Sequence, residues 1–382
     1  MQDLLRRYGS TLTGLFVFLT AFWLLVLVIL PNVSLFEQSF RPYLPFVEIG
    51  GPKDVYSVDN YRQFFSDAVE TTMFGIPVWI SLHFLAFLDT VFYSATVTLI
   101  CLALAYPLAY YLAKVAKPQS LPMLLLLLFI PLWVSEALRA FAWYIILTFN
   151  GPLNQFLMGL GLIDKGIRWQ QGVVTDYDAI VAVLVYCYVL FMLLPIYTAI
   201  QSLDSNQIEA AEDLGAPWWK THLRVVMPHA KPGIASGCVM VFMLSAGSLL
   251  VPSVVGSTSA IWFPQAIYTQ FNDAQDWQAG AAYSMIFLLL CIVFVDDAAF
   301  PRETVGYCKM TRQRSVLAHL YMIMFLVYLM LPLLIMAGAA FNDSKLPTVT
   351  PWKGFTWRWF EALFADERMW NAFANSIVVA LA

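Results

Sequence analysis

Seven runs of apolar residues, each near the length that crosses a bilayer, constrain this chain more than any other feature. A hydrocarbon core is spanned by roughly 20 apolar helical residues. The runs fall near 11–31, 86–113, 121–149, 177–200, 233–254, 279–299 and 316–340, and an eighth opens near 371 and reaches Ala382. In lipid every backbone polar group must be paired within the protein, so runs of this length are expected to be helices. Composition agrees: 60% of the 382 residues are hydrophobic and 12% are charged, about half the charge of a soluble domain. The expected fold class is an all-α polytopic membrane protein. The net charge of −4 predicts no nucleic-acid partner.

Arg6 and Arg7 flank the first run like the basic end of a signal peptide. The run is longer than a signal-peptide core, and no small-x-small cleavage site follows Pro31, so it reads as an uncleaved first helix. Cys101, Cys187, Cys238 and Cys291 fall inside apolar runs and Cys308 in a polar linker, which reads as small buried residues and not as a disulfide framework. Lys and Arg favour cytoplasmic loops, and long loops weigh little in that rule. The denser basic segments are those around Arg6, Lys114, Lys220 and Arg312. They put the N-terminus, and the polar stretch after residue 203, in the cytoplasm.

The loop over 32–85 is long, which suits a functional or packed segment. Its end, Val78 to Phe87, is apolar enough to lie along the membrane surface. The 150–176 loop carries apolar residues at helical spacing and reads as a short interfacial helix. An internal repeat is also visible. Eight residues separate Leu30-Pro31 from Phe40, and eight separate Leu331-Pro332 from Phe341. Tyr61 to Phe65 then echoes Phe360 to Phe364, and Asp89-Thr90-Val91 echoes Asn375-Ser376-Ile377. The expected organisation is one complete six-span unit over 1–300, a cytoplasmic linker over 301–315, and the opening of a second similar unit over 316–382.

The stretch 204–232 interrupts the apolar runs with helix–turn–helix chemistry. Asn206 can cap a helix with Glu209 at its third position. Gly215 can adopt the left-handed conformation that ends it. Pro217 suits the first position of the next helix, and Pro228 suits a stop before the next span. Ala210 and Ala211 leave a flat face, Glu209 and Asp213 present acid, and Trp218 and Trp219 offer contact area. The bland alternative is a solvated loop. The sequence Gly215-Ala-Pro-Trp-Trp-Lys220-Thr221 lacks the second glycine of a phosphate-binding loop, so no ATP site is recognisable.

The spacing Glu209-Ala210-Ala211, Gly215, Val225, Met227-Pro228 resembles the EAA loop of ABC-importer permeases, with Val225 and Met227 as conservative departures. Residues 11–299 further resemble the first permease subunit of spermidine/putrescine-type importers. The resemblance is carried by Ser57 to Tyr61, Ile130 to Tyr144, Asn150 to Asp164 and Ala274 to Ala282. Residues from 316 onward resemble the start of the second permease subunit, through Tyr328 to Lys345 and Trp352 to Ala365. The resemblance implies a six-helix type I importer domain plus the first one to two helices of a second. It implies two copies of a partner ATPase that docks on the EAA loop and holds ATP and magnesium. It also implies a second permease domain or subunit, an extracytoplasmic substrate-binding protein, and a multi-pass place in the bacterial inner membrane. No cofactor and no metal are expected in this chain, and it is not expected to be an enzyme.

Intramembrane charges mark candidate transport residues. Glu136 and Arg139 lie at i, i+3 in the third run and can pair on one helix face, in a structural or a substrate-binding role. Asp89 opens the second run. Trp133, Trp143 and Tyr144 share the third run with Glu136, and aromatic faces with carboxylates can hold ammonium groups. The candidate path is therefore Asp89, Trp133, Glu136, Arg139 and Tyr144. Asp296 and Asp297 read as solvated. Related permeases carry ferric iron, opines or phosphonates, so the substrate is less constrained than the machinery. A secondary transporter would have no reason to carry the EAA spacing.

Overall fold

Helices form at every apolar run, but two of the runs are broken. The computed structural model describes residues 2–44, 48, 51–66, 68–73, 76–172, 175–257, 259–298, 316–344, 349 and 352–381, with side chains except at 2–11, 68–73, 76–78, 296–298, 316 and 381. The expected 301–315 linker, Cys308 and the side chains of Asp296 and Asp297 lie outside what is described. Among the described residues six helices are long and apolar enough to cross a membrane: Leu12–Ser39, Leu82–Val115, Asp178–Gln201, Trp218–Ala246, Trp277–Val295 and Leu317–Ala340. A further helix, Glu367–Leu381, covers the eighth run. Among the described residues the fold is α-helical apart from one antiparallel hairpin, Ala68–Met73 with Ile76–Ser81, and an isolated bridge between Asn342 and Phe355. The hairpin takes up the start of the 78–87 segment, and the second helix begins directly after it at Leu82.

The third run is not one straight span. It forms the pair Leu121–Trp133 and Glu136–Gly159, bent by 87°. Pro131 lies in the last turn of the first half, Val134 is extended (φ −82°, ψ 132°), and the Ser135 hydroxyl accepts from the Leu138 amide at 3.3 Å. A serine cap with an acidic residue in the first turn restarts a helix. The fifth run is also split. Its helix ends at Ala246, Gly247 caps it, and a short helix Leu250–Val255 follows.

Two prolines at expected helix ends are instead carried through. π-turns occupy Leu25–Ile29 and His222–Val226, and each is followed two residues later by a proline, Pro31 or Pro228, in the first turn of the continuing helix. A proline cannot donate to the ladder and its ring crowds the preceding turn; a wider turn placed just before it relieves both problems.

The chain divides into two units, Met1–Thr90 with Trp262–Asp297, and Val91–Ile261 with Ala298–Ala382. In the first, Phe64 of the helix Asp59–Ser66 packs edge-on against Phe84, Phe87, Phe263 and Tyr283 at 5.3–6.1 Å. The Thr90 hydroxyl accepts from the Phe263 amide at 2.8 Å and donates to the Ala86 carbonyl. In the second unit the Asp178–Gln201 helix is central. The Met227–Ala246 helix lies so close to it that a Cβ on Gly233 would come 2.4 Å from the Pro195 carbonyl oxygen. Small residues are what permit such approach between membrane helices. The helix Val316–Ala340 belongs to the same unit and is tied by Tyr186, whose hydroxyl donates to the Leu329 carbonyl at 2.8 Å, and by Tyr321, which donates to the Leu104 carbonyl at 2.7 Å.

The repeat seen in sequence has a local counterpart. The Ser57 amide donates to the Phe40 carbonyl at 2.7 Å just before the helix Asp59–Ser66, and the Thr356 amide donates to the Phe341 carbonyl at 2.9 Å just before the helix Arg358–Ala365. Gly233→Val is expected to destabilise the detergent-solubilised protein by about 1–3 kcal/mol through overpacking. Gly14→Ala, where an added Cβ would meet nothing within 4 Å, should not destabilise it.

Candidate functional site

The 204–228 segment is built as a stiff projection. Its first helix is Ser205–Asp213, and its cap is Asp204, whose carboxylate accepts from the Asn206 amide at 3.0 Å. This corrects the expected Asn206 cap by two residues: Asp204 is the last extended residue before the helix, where a capping side chain must stand. Gly215 takes the left-handed conformation, φ +76°. The Gly215 amide donates to the Glu212 carbonyl at 2.8 Å and the Ala216 amide to the Ala211 carbonyl at 3.0 Å. These are the paired bonds of a glycine-terminated helix. Pro217 caps the next helix, Trp218–Thr221, and does not occupy its first position. Pro228 does not stop the chain, because the π-turn leads straight into Met227–Ala246.

Burial along the segment separates an anchored base from a bare tip. Leu203, Ile208, Thr221, His222 and Val226 are buried, whereas Glu209, Ala210, Gly215, Met227 and Pro228 are exposed, and Ala211 and Val225 are half-buried. Leu214 is 89% exposed, and Trp218 and Trp219 are also exposed. The base is held by Lys114, which is 6% exposed and donates to the Leu203 carbonyl. Its pairing was not legible, because a lysine at the end of a run reads only as a topology marker. His229 Nε2 lies 3.0 Å from the Ser202 hydroxyl on the neighbouring helix.

The intramembrane candidates are distributed differently from the expectation. Among the described ion pairs none joins Glu136 to Arg139. Glu136 Oε1 accepts from the Tyr188 hydroxyl at 2.7 Å and from the Ser248 hydroxyl at 3.3 Å. Arg139 donates to the Cys187 carbonyl at 3.0 Å. The cause is the break at 134–135: it puts Glu136 at a helix start facing the second break at Ser248, while Arg139, one turn on, is buried against the Asp178–Gln201 helix. Trp133 belongs to the other half of the bent pair and is 81% exposed. Tyr144 lies on the second half and is exposed. Asp89 does not open its span; it lies seven residues inside a helix that starts at Leu82, and in the other unit. Tyr188 and Ser248 carry no pattern in sequence that would single them out.

Glu136→Leu is expected to leave both hydroxyls without their acceptor and to destabilise the protein by about 1–3 kcal/mol. Glu136→Gln, which keeps an acceptor oxygen, should recover most of that loss in the same unfolding measurement.

The comparisons with known proteins place this architecture. The spermidine/putrescine transport system permease protein PotB of Escherichia coli K12 is 34% identical over 265 residues, covering 69% of this chain and 88% of the relative. Its counterpart from Salmonella typhimurium LT2 is 34% identical over 266 residues, covering 69% and 84%. Among solved structures, a bacterial alginate ABC transporter in complex with an alginate pentasaccharide-bound periplasmic protein matches with a TM-score of 0.57 at 17% identity. It covers 78% of this chain and 94% of that chain, a likeness of fold. The family described as binding-protein-dependent transport system inner membrane component matches residues 1–299. That match takes in both helix breaks and the whole projecting segment, and the chain belongs to this family.

Proposed function

We propose that this chain is the permease subunit of an ATP-driven importer of polyamines, coupled to a separate ATPase through its 204–228 segment. The observation that carries the coupling is the tip: a leucine and two tryptophans stand bare on a turn held rigid by helix caps at both sides. Exposed apolar side chains clustered in this way mark a protein contact. Two copies of that ATPase would hold ATP and magnesium, which this chain has no phosphate loop to bind. The basic residues favour a cytoplasmic N-terminus, which puts the tip on the nucleotide side.

The substrate class is taken from the named relatives, whose length this chain covers almost fully. Specificity would be shared with an extracytoplasmic binding protein, as the alginate complex illustrates for its own system. The Thr356–Phe341 bond before the helix Arg358–Ala365 repeats the Ser57–Phe40 bond before the helix Asp59–Ser66, which supports reading residues 316–382 as the opening of a second permease domain. Glu136, at the meeting of two helix breaks, is the carboxylate best placed to face an ammonium group on the path.

The test is uptake of labelled spermidine by proteoliposomes holding the chain with its ATPase, a second permease subunit and a binding protein. Glu209→Lys and Leu214→Asp are expected to lower uptake about 10- to 100-fold, the loss of a docking hot spot, with the permease still present in the membrane. Normal uptake in both variants would remove the coupling role. In the same vesicles Glu136→Gln is expected to reduce polyamine uptake; unchanged uptake would take Glu136 off the path.

A further inference from the structure

A cavity of about 670 Å³ lies beside the base of the projecting segment, and of its walls only Trp218 is shared with the docking tip. The walls come from three places in one unit: the end of the Leu82–Val115 helix through Tyr106, Tyr110 and Val115, the start of the Trp218–Ala246 helix through Trp218 and His222, and the start of the Leu317–Ala340 helix. The lining is aromatic and aliphatic and contains no charged side chain. Cavities of this size and polarity are ligand sites.

One polar group in the wall is incompletely paired. His222 is 5% exposed, and its Nδ1 lies 2.9 Å from the Tyr106 hydroxyl. Its Nε2 is buried with no hydrogen-bond partner. The Tyr106 hydroxyl can donate to Nδ1, and in that tautomer the ring proton sits on Nε2 and requires an acceptor. An orphaned buried donor is costly, and native structures rarely leave one without a partner.

The geometry points to a phospholipid site: an acyl chain in the apolar cavity, with its ester carbonyl accepting from His222 Nε2. All three walls belong to helices apolar enough to cross a bilayer, and the cavity lies where one of them ends, at Val115. That is the level at which hydrocarbon gives way to headgroups and where tyrosine and tryptophan collect. An ester carbonyl is an uncharged acceptor attached to a long apolar chain, the combination that suits a charge-free, largely apolar lining with a buried imidazole nitrogen left to pair. His222 opens the π-turn that leads out of the projecting segment, and its ring packs at a tilt against Trp218, centroids 4.3 Å apart. Lipid bound here would therefore stiffen the base of the segment. Binding does not depend on the docking role; only an effect of lipid on coupling does.

The experiment uses the full chain in nanodiscs of phosphatidylethanolamine and phosphatidylglycerol with a trace of phosphatidylethanolamine carrying a diazirine near the carbonyl end of one chain. After photolysis, adducts are mapped by mass spectrometry. Adducts are expected at Tyr110, Trp218 and Met324, in addition to bilayer-exposed positions such as Leu334. Ala318→Trp, which fills the cavity, should abolish the first set and spare Leu334. His222→Phe should lower the first set about tenfold, the loss of one hydrogen bond. On the unsubstituted chain, an ether-linked phospholipid, which lacks the carbonyl, should compete about tenfold less well than its ester counterpart. Adducts at Leu334 with none around the cavity, equal labelling in all three proteins, or equal competition by ether and ester lipids would each overturn the site.

Discussion

Pairing of backbone polar groups in a solvent that offers none is the constraint on which the rest of this structure depends. A bilayer admits helices because each helix pairs its own ladder, and every departure from the ladder must be made good by a local device. The departures here include prolines and breaks, and two prolines and both breaks have a visible device. Wider turns at Leu25–Ile29 and His222–Val226 precede Pro31 and Pro228. The break at 134–135 is capped by Ser135, and the second, after Ala246, faces it through Ser248 and the Glu136 carboxylate. Ser135, Glu136 and Ser248 thus meet where two helices are discontinuous.

The projecting segment follows the same logic outside the membrane. Its first helix is closed at one end by Asp204 and at the other by the left-handed Gly215, and its buried side chains face the protein. A segment so closed presents its tip in one geometry. Ordering entropy is then already spent before a partner arrives, which raises affinity for a given contact area.

Much of this was legible in the sequence. Run lengths gave the helices to within a few residues at most ends, because hydropathy reports the solvent directly. The turn at Gly215 was legible because glycine with positive φ has few other uses. Three features were not. Asn206 and Asp204 are both good caps two residues apart, and only the backbone decides between them. The break in the third run was hidden because Pro131, Ser135 and Glu136 lie between apolar flanks long enough for the whole to read as one span. The partners of Glu136 were hidden because Tyr188 and Ser248 are remote in sequence, and i, i+3 spacing suggested a nearer partner that the break turned away. Lys114 and His222 read as ordinary loop-edge residues until their burial was seen.

The Lys114 contact has a mechanical consequence. One end of the projecting helix is pinned to the terminus of a transmembrane helix by the bond to Leu203, and the far limb is seated through His222 on that helix two turns earlier. Both limbs of the segment are thus held on one helix, and a partner seated at Leu214 would act on the Leu82–Val115 helix through two contacts instead of one.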